Sequence, residues 1–254
     1  MIRELITYCL SQAVPGARSA GLVREVVAIK ARHRRHASDW ALHLEQCKSH
    51  IIDALKRANP LKPVLVLGAG PCLDLPIKEL AAHPAGATLV DAVLLPSTKR
   101  LVSKYPNLKF KLSDISGALN QKGEALEIPN LAPIDTIGYG LIISANILSQ
   151  LPLSFISVPA ETEEEKAVMT GLQVAHMESL KISGIPVLII SDYEAISVAS
   201  NVRSAYTTID SVIFSDDFID SWKWPVAPLG EISPQIEVCL EVGAWQLNWE
   251  FLGD

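Results

Sequence analysis

The stretch that decides the fold is KPVLVLGAGPCLDLP, residues 62–76. Its run of valines and leucines predicts a buried strand, and Gly68 and Gly70 follow where that strand ends. Glycine lets the backbone turn sharply and brings main-chain N–H groups close to a ligand, because no Cβ stands in the way. Strand-to-helix turns that bind nothing also contain glycines, so this turn alone leaves a binding site and a purely structural turn equally open.

Short apolar runs recur downstream of this turn, separated by longer mixed segments that predict helices. Runs of this kind are typical of buried parallel strands, which are apolar on both faces. The repeated alternation of strand and helix predicts a parallel sheet with helices on both sides. The runs, with the first included, are VLVLG (64–68), ATLVDAV (87–93), LKFKLSD (108–114), GLIISAN (140–146) and PVLIISD (186–192).

The end of the chain has a different pattern. In QIEVCLEV (235–242) and in WQLNWEF (245–251), apolar and polar residues alternate with a period of two. Each run predicts a strand with one buried face, and Gly243 and Ala244 between them predict a tight turn. We therefore expect the parallel sheet to end in an antiparallel hairpin.

The front of the chain is helical in pattern. Pro15 and Gly16 separate a short first helix from a longer second stretch, and Pro60 after Asn59 ends that stretch, because proline cannot continue a helix. We expect two units: an N-terminal helical cap over residues 1–60 and a sheet domain over residues 61–254.

Composition narrows the class of protein. The 254 residues are 49% hydrophobic and carry a net charge of −6, which argues against a nucleic-acid-binding surface as the main feature. No stretch approaches the roughly 18 uncharged apolar residues that a membrane span needs, and the first residues lack the apolar core of a signal peptide. The four cysteines form no CxxC pair. We expect a cytoplasmic protein with reduced thiols and with no nucleic-acid or membrane partner.

Two acidic residues near the glycine turn give evidence that it belongs to a ligand-binding site. Asp91 ends the second predicted strand and Asp114 ends the third. Ligands of open α/β sheets bind beyond the carboxyl ends of the strands, beside the first strand. There, one acid can accept both hydroxyls of a ribose, and the other can accept from the exocyclic amino group of adenine. Together with the turn, the two acids indicate an adenosine moiety.

The same stretch argues against a phosphate-bearing ligand. A dinucleotide fingerprint needs a third glycine, and Leu73 occupies that position. Asp74 beside it would repel a pyrophosphate at the helix N-terminus. The sequence contains no GxxxxGK[ST] loop for a nucleoside triphosphate. A sulfonium ligand carries no phosphate and tolerates an acid near the turn.

These segments resemble the class I S-adenosylmethionine-dependent methyltransferases. The likeness is carried by VLVLGAGPCLDLP, LVDAV, KLSDIS, GLIISANILSQLP and the closing hairpin, and covers residues 62–254. It implies a Rossmann-like sheet of seven strands, mostly parallel with the seventh antiparallel, and S-adenosyl-L-methionine as cofactor with S-adenosyl-L-homocysteine as product. On this resemblance Gly68, Ala69 and Gly70 contact the methionine part, Asp91 and Ala92 the ribose, Asp114 and Ile115 the adenine, while Ser144, Ala145 and Asn146 face the sulfonium.

The chain departs from the family pattern at two positions. Val66 stands where the family usually has an acid, and Cys72 replaces the third small residue of the turn. No NPPY-type tetrapeptide follows the fourth strand, and SANILSQLP looks like the corresponding segment of enzymes that act on small molecules. We expect a methyltransferase with a small-molecule acceptor. The alternative is a protein that binds the cofactor without transferase activity, as a sensor or scaffold, and the two departures favour it. An NAD-dependent reductase is disfavoured by Leu73 and by the closing hairpin.

A stripe of unusual residues lies in the segment ARHRRHASDWALHLEQCKSH (31–50). At helical spacing, one face carries His36, Trp40, His43, Cys47 and His50. The stripe either packs on the sheet domain or lines an acceptor pocket as a lid. A metal site from three of these residues is a further alternative that we expect to fail, because three ligands from one helix rarely complete a tetrahedral shell.

Several residues are candidates for the acceptor side. If the stripe forms a lid, Trp40 and His43 line the acceptor pocket and Arg34 or Arg35 meets a carboxylate. Tyr193, just past the fifth strand, lies where an acceptor could approach, as would two later tryptophans if their loop folded over the site; a structural role is the simpler interpretation of these aromatic residues. Residues 152–161 form a candidate lid.

Methyl transfer needs alignment of nucleophile and methyl carbon more than acid–base chemistry. A general base is required only for a protonated acceptor, and His43 is the candidate. The sequence leaves the acceptor and the oligomeric state open, with a homodimer as one option.

Overall fold

The computed structural model describes residues 2–119, 134–199, 202–213 and 218–249. The helices in these ranges are α1 (Ile2–Leu10), α2 (Leu22–Arg35), α3 (Ala41–Arg57), α4 (Ile77–Ala82), α5 (Pro96–Val102) and α6 (Glu163–Ile182). The strands are β1 (Gln12–Ala13), β2 (Val64–Leu67), β3 (Ala87–Asp91), β4 (Val93–Leu94), β5 (Leu108–Leu112), β6 (Leu141–Ala145), β7 (Val187–Ala199), β8 (Val202–Thr207), β9 (Phe218–Ala227) and β10 (Ile236–Leu247).

One large sheet organises the molecule. Its strand order is β5-β3-β2-β6-β7-β10-β9, and β8 pairs with the far half of β7. Strands β5, β3, β2, β6 and β7 run parallel, whereas β10 is antiparallel to both of its neighbours. The expected α/β Rossmann-like sheet with an antiparallel closing strand is therefore confirmed, and each of the five predicted apolar runs contains a parallel strand.

The central strands are buried because helices cover both faces of the sheet. Every residue of β2 and β6 is buried. On one face, α3 and α4 pack against alternate residues of these strands through Ile51 and Leu80. On the other face, α6 packs through Leu172 and Leu180. Two apolar layers thus fix the sheet and leave its carboxyl edge free to form a site.

The closing hairpin differs from the sequence prediction. A single strand, β10, runs through Gly243 and Ala244, where we expected a turn, and its hairpin partner is the preceding strand β9. A Cβ on Gly243 would lie 2.4 Å from the ring of Trp245, so this glycine makes room for an aromatic side chain instead of turning the chain. The thirteen residues of β7 give β10 a partner along its whole length.

The N-terminal helices also differ from the prediction. The long second helix is interrupted between Arg35 and Ala41, so the proposed stripe spans two helices. Ser38 and Asp39 lie in the break, and such residues favour turns because their side chains compete for local hydrogen bonds. The Asp39 carboxylate lies 3.2 Å from His36 Nδ1 across the turn. His36 is therefore the C-cap residue of α2, and Trp40 is the N-cap residue of α3.

The start of α6 has the form that its sequence indicates. Thr162 Oγ1 accepts from the main-chain N–H of Glu165, and the Glu165 carboxylate accepts from Thr162 in return. This capping box satisfies N–H groups that have no partner inside the helix. None of the described helices is long and apolar enough to cross a membrane.

Candidate functional site

A cleft of about 1080 Å³, including its open mouth, lies at the carboxyl edge of the parallel strands. Its floor comes from the segments that follow β2, β3, β5 and β6, and its roof comes from α2 and the start of α3. Its walls are formed by Leu22, Glu25, Val26, Ile29, Trp40, His43, Leu44, Gly68, Ala69, Gly70, Pro71, Leu73, Asp74, Asp91, Ala92, Asp114, Ile115, Ser116, Leu119, Ala145, Asn146, Ile147, Gln150, Leu151, Ser154 and Trp224.

The glycine turn forms the centre of the floor. Gly68 has φ +83° and Gly70 has φ +44°, a region that other residues rarely adopt. A Cβ on Gly68 would lie 2.5 Å from the carbonyl oxygen of Ala145, so the ends of β2 and β6 approach each other only because glycine stands here. The turn is held against β3, since Gly68 and Ala69 donate their N–H groups to the carbonyl of Val90.

Asp91 lies beside this turn at the end of β3. Its Oδ2 accepts from the main-chain N–H of Gly70 at 2.7 Å, and its Oδ1 accepts from Val93 at 2.9 Å. Burial raises the pKa of this carboxyl to about 6, and the hydrogen bonds oppose that shift. The buried Asp91 carboxylate thus connects the glycine turn to the end of β3. The sequence resemblance implied a ribose contact at this residue.

Asp114 is organised by its own loop. Its Oδ1 accepts from the N–H of Ser116 at 2.9 Å and from the Ser116 hydroxyl at 2.7 Å, and its Oδ2 accepts from Leu119 at 2.9 Å. The loop after β5 therefore turns back and presents Ile115 together with Asp114 to the cleft. Both predicted adenine contacts line the cleft.

The fourth strand contributes two of its three predicted residues. Ala145 and Asn146 line the cleft, but Ser144 is fully buried on the opposite face, where its hydroxyl lies 3.0 Å from His176 Nε2. Side chains alternate between the faces of a strand, so Ser144 and its neighbours point opposite ways. Its assignment to the site is wrong.

The end of this strand also brings Asp74 and Asn146 together. Asn146 adopts φ +49°, and its Nδ2 donates to Asp74 Oδ2 at 2.6 Å. Loss of solvent raises the pKa of the Asp74 carboxyl above its usual value, and the hydrogen bond from Asn146 opposes the rise. From the sequence, Asp74 indicated only that the cleft would repel a pyrophosphate. In the structure, Asp74 lines the cleft.

Three aromatic residues, Trp40, His43 and Trp224, line one side of the cleft, and Trp222 packs behind them. We call these four residues the aromatic wall. The His43 ring stacks on Trp224 at a centroid distance of 3.9 Å, and Trp40 meets Trp224 edge-on at 4.9 Å. Trp222 lies behind His43 and donates its Nε1–H to His43 Nδ1 at 3.1 Å. Both of the later tryptophans lie on β9, not on a loop.

His43 cannot serve as the general base that the sequence suggested. Its Nδ1 already accepts from Trp222, which assigns the ring proton to Nε2. Burial lowers the pKa of His43 to about 3, so the ring is neutral. His43 lines the cleft as part of the aromatic wall, and the catalytic assignment is wrong.

Three predicted acceptor contacts lie elsewhere. Arg34 pairs with Glu4 at 2.5 Å, and Arg35 pairs with Glu231. Tyr193 packs edge-on against Trp245, with the ring centroids 6.2 Å apart. None of the three lines the cleft. Arg34 and Arg35 end α2 on its outer side, so sequence proximity to the stripe did not translate into a shared face.

The metal alternative has no cluster in the described part of the chain. His50 lies 3.0 Å from Asp220 and stacks on Trp222, away from His43. Cys47 lies 3.7 Å from His43 Nε2, a buried contact between a thiol and a neutral ring. No group of three His, Cys, Asp or Glu side chains converges among the residues that the structure describes.

Helix α2 contributes to the cleft in a way that was not predicted from the sequence. Leu22, Glu25, Val26 and Ile29 line the cleft at spacings of three and four, the pattern of one helical face. That spacing is readable in LVREVVAIK (22–30), but nothing in it indicates that the face covers a site instead of the core.

The lining of the cleft has acidic side chains without basic partners. Four acids line it (Glu25, Asp74, Asp91 and Asp114), and none of the described lining residues is lysine or arginine. Negative charge in a partly desolvated cleft attracts cations and repels multiply charged anions such as a pyrophosphate.

No family model matches the chain, and no curated protein matches it. Among solved structures, it is similar to a Burkholderia thailandensis 1,6-didemethyltoxoflavin-N1-methyltransferase with bound S-adenosylhomocysteine: 17% identity, 92% of this chain and 91% of the other covered, TM-score 0.46. It is also similar to the N-methyltransferase NodS from Bradyrhizobium japonicum, with 11% identity, coverage of 87% and 98%, and TM-score 0.37. A glycopeptide N-methyltransferase, MtfA, gives 12%, coverage of 77% and 92%, and TM-score 0.35.

The assignment of the fold rests on the sheet itself. The mostly parallel sheet and the antiparallel β10 agree with what the sequence resemblance implied, and the structure adds that β10 lies between β7 and β9. The chain has the Rossmann-like fold of the class I S-adenosylmethionine-dependent methyltransferases.

Proposed function

We propose that the chain is an S-adenosylmethionine-dependent methyltransferase that acts on a small-molecule acceptor. One observation carries the proposal: the glycine turn, Asp91 and Asp114 line a single cleft whose described walls carry acids and no lysine or arginine. A ligand with an adenosine part and a sulfonium charge, but no phosphate, matches that combination.

The described residues fit the parts of this cofactor in turn. A carboxylate has about four acceptor sites, so Asp91 can accept from ribose hydroxyls in addition to Gly70 and Val93. Ile115 offers an apolar surface to the adenine, and Asp114 lies beside it. Gly70 leaves room for the methionine part, because no Cβ projects from it and the nearest atom to an added Cβ, Asp91 Oδ2, is 4.0 Å away.

The cofactor supplies a methyl group on a positively charged sulfur, and the protein's task is to align an acceptor with it. Orientation of this kind can contribute several kcal/mol of the barrier, about 7–11 kcal/mol in the best model reactions. The aromatic wall and the roof from α2 offer the surfaces that would hold the acceptor. In this proposal residues 1–60 are therefore an integral cap of the site, and not a detachable module.

The two departures from the family pattern do not touch the floor of the cleft. Val66 is fully buried within the sheet, and Cys72 is buried beside the turn without lining the cleft. We therefore keep the non-catalytic cofactor-binding protein as the alternative to be tested, and do not prefer it. A pyrophosphate would meet Asp74 and no balancing cation among the described walls, which weighs against NAD.

Titration calorimetry with S-adenosylhomocysteine and with NAD tests the cofactor. We expect S-adenosylhomocysteine to bind in the micromolar range, about −8 kcal/mol, and NAD to bind far more weakly. Asp91→Asn should weaken S-adenosylhomocysteine by about 1.5–3 kcal/mol, the value of hydrogen bonds to a charged group.

Asp135→Asn, at an exposed ion pair with Lys111, is the matched control and should change nothing. Tighter binding of NAD, or an unchanged affinity in Asp91→Asn, would contradict the assignment. Binding without methyl transfer to any small-molecule acceptor would favour the non-catalytic alternative.

A further inference from the structure

The aromatic wall and the Asp74–Asn146 pair are adjacent. Cys47 Sγ lies 3.7 Å from His43 Nε2 and 3.8 Å from Asn146 Nδ2, so the thiol bridges the wall and the pair. Asp74, Asn146, His43, Trp40 and Trp224 all line the cleft. One end of the cleft therefore combines a desolvated carboxyl with stacked aromatic rings.

Three polar atoms at this end have no hydrogen-bond partner among the described residues. They are Trp40 Nε1, Trp224 Nε1 and Asn146 Oδ1, all of them buried, and the three residues are only 1%, 6% and 8% exposed. Leaving a buried polar group unpaired costs about 1–3 kcal/mol, so native proteins rarely do so without a reason. Two unpaired donors and one unpaired acceptor call for a ligand with an acceptor atom and an N–H or O–H group.

The charges at this end of the cleft indicate which kind of acceptor it would bind. A carboxylate beside the faces of tryptophan is the arrangement that recognises organic cations. The two arginines that could have received an acidic acceptor, Arg34 and Arg35, are paired with Glu4 and Glu231 instead. An acceptor with a carboxylate or a phosphate would therefore meet only like charge at this end.

We infer that the methyl acceptor is an amine on a flat aromatic body, with its nitrogen at Asp74 and Asn146 and its ring against the aromatic wall. This inference rests on the proposed function, because it assigns the second half of the same cleft. The Asn146 Oδ1 and Asp74 carboxylate oxygens accept from the amine, and the indole N–H groups donate to an oxygen or nitrogen on the aromatic body.

Asp74 also has a chemical role in this assignment. A protonated amine, R–NH₃⁺, has no lone pair, so one proton passes first to the Asp74 carboxylate. The freed nitrogen lone pair then forms the bond to the methyl carbon, while the carbon–sulfur bond breaks and leaves its electron pair on sulfur. The products are the methylated ammonium R–NH₂–CH₃⁺ and a neutral thioether. Burial raises the pKa of Asp74, which makes it a better proton acceptor than an ordinary aspartate.

Matched probes test the inference on the protein saturated with S-adenosylhomocysteine. Tyramine, tryptamine and benzylamine are each compared with the alcohol and the carboxylate of the same skeleton, by thermal shift and calorimetry. We expect at least one amine to raise the melting temperature and to be methylated when S-adenosylmethionine is supplied. Its alcohol and carboxylate counterparts should bind at least about tenfold more weakly, because they lack the charged contact.

Variants identify the carboxylate that is responsible. Asp74→Asn keeps the size of the side chain and should weaken the amine about tenfold or more, while the affinity for S-adenosylhomocysteine stays unchanged. Asp53→Asn removes the same charge from the exposed face of α3, where Asp53 pairs with Lys56, and should have no effect. The melting temperature of each variant without ligand reports that it folds.

Three results would overturn the inference while the proposed function survives. The first is no amine-specific binding across the panel to a protein that binds S-adenosylhomocysteine. The second is equal binding of the amine and its carboxylate. The third is that Asp74→Asn weakens S-adenosylhomocysteine but not 5′-methylthioadenosine, which lacks the amino-acid part; Asp74 would then hold the cofactor's ammonium. Failure of S-adenosylhomocysteine to bind at all would overturn the proposed function itself.

Discussion

At the scale of single residues, Gly68 has little freedom to change. Its backbone has φ +83°, and the space that a Cβ would occupy is already filled by the Ala145 carbonyl and by the Ile147 side chain. Gly138 offers a natural comparison, because it has φ +86° and no atom within 4 Å of an added Cβ. The two positions share the backbone strain and differ in the clash.

Alanine substitutions at these two glycines distinguish the cost of the left-handed backbone from the cost of a steric clash with neighbouring atoms. Gly138→Ala should lower the free energy of unfolding by about 1 kcal/mol, the cost of a left-handed backbone for alanine. Gly68→Ala should lower it by about 2–4 kcal/mol, because the ends of β2 and β6 must also move apart. Urea denaturation measures both. Equal losses at the two sites would mean that the contact with Ala145 costs nothing, and the turn would then be less constrained than the structure indicates.

The predicted site residues that line the cleft are those whose positions depend on local pattern. Gly68, Gly70, Asp91 and Asp114 lie at or just after the ends of strands, and strand ends can be located from apolar runs alone. The assignment of Asp74 as a wall residue depends on its contact with Asn146, far away in sequence. No local pattern carries that information, and the same holds for the exclusion of His43 as a base by Trp222.

At the scale of elements, Glu231 fixes the end of α2. The loop between β9 and β10 places this carboxylate against Arg32, Arg35 and His36, with His36 Nε2 at 2.9 Å. The Glu231 side chain is only 9% exposed. Hydrogen bonding from Arg35 is the largest of the effects that lower its pKa from 4.5 to about 2. The end of α2, which contributes to the roof of the cleft, is therefore tied by this acid to the loop between β9 and β10.

Replacing this acid should loosen the roof in a way that depends on pH. Because the pKa of Glu231 is depressed in the folded state, its contribution to stability is fully present above about pH 4.5 and is lost as the pH falls toward about 2. Glu231→Gln should cost about 1–2 kcal/mol at neutral pH, and the difference from the unmodified protein should shrink as the pH is lowered. Chemical denaturation at several pH values measures this difference.

The control for this junction is Glu237→Gln, on an exposed position of β10. It should change stability little at any pH. A loss in Glu231→Gln that stays constant from neutral pH down to pH 3 would show that packing of the loop, and not its charge, holds α2.

Elements differed in how well the sequence predicted them, and the reasons are physical. The parallel strands were found because their apolar runs are bounded by turns. Strands β2, β3 and β6 are buried almost throughout, whereas exposed lysines alternate along β5 at the edge of the sheet. The closing hairpin was misplaced because alternation with a period of two continues through Gly243 and Ala244 in a single strand. A glycine that turns the chain and a glycine that admits a ring look alike in sequence, and only Trp245 packed against it distinguishes them.

At the scale of the whole molecule, the cleft is a joint product of the sheet and the N-terminal helices. The sheet supplies the glycine turn and the acids, whereas α2 and α3 supply the roof and half of the aromatic wall. The two parts share one apolar layer, since Trp40, Cys47, Ile51 and Ala54 are all at most 1% exposed. A short strand adds to the junction, because β1 pairs with β4.

Deletion of residues 1–58 tests whether this junction is integral to the protein. The apolar surface of the sheet that now meets α3 would be exposed to water, and exposed apolar surface of that kind promotes aggregation. We expect the remaining fragment, residues 59–254, to be poorly soluble, and any soluble fraction to bind S-adenosylhomocysteine far more weakly than the full chain. Solubility after expression and calorimetry on the soluble fraction measure the two effects. A soluble, folded fragment that binds S-adenosylhomocysteine as tightly as the full chain would make the helices a separate module, and the acceptor site proposed at Trp40 and the aromatic wall would lose its structural basis.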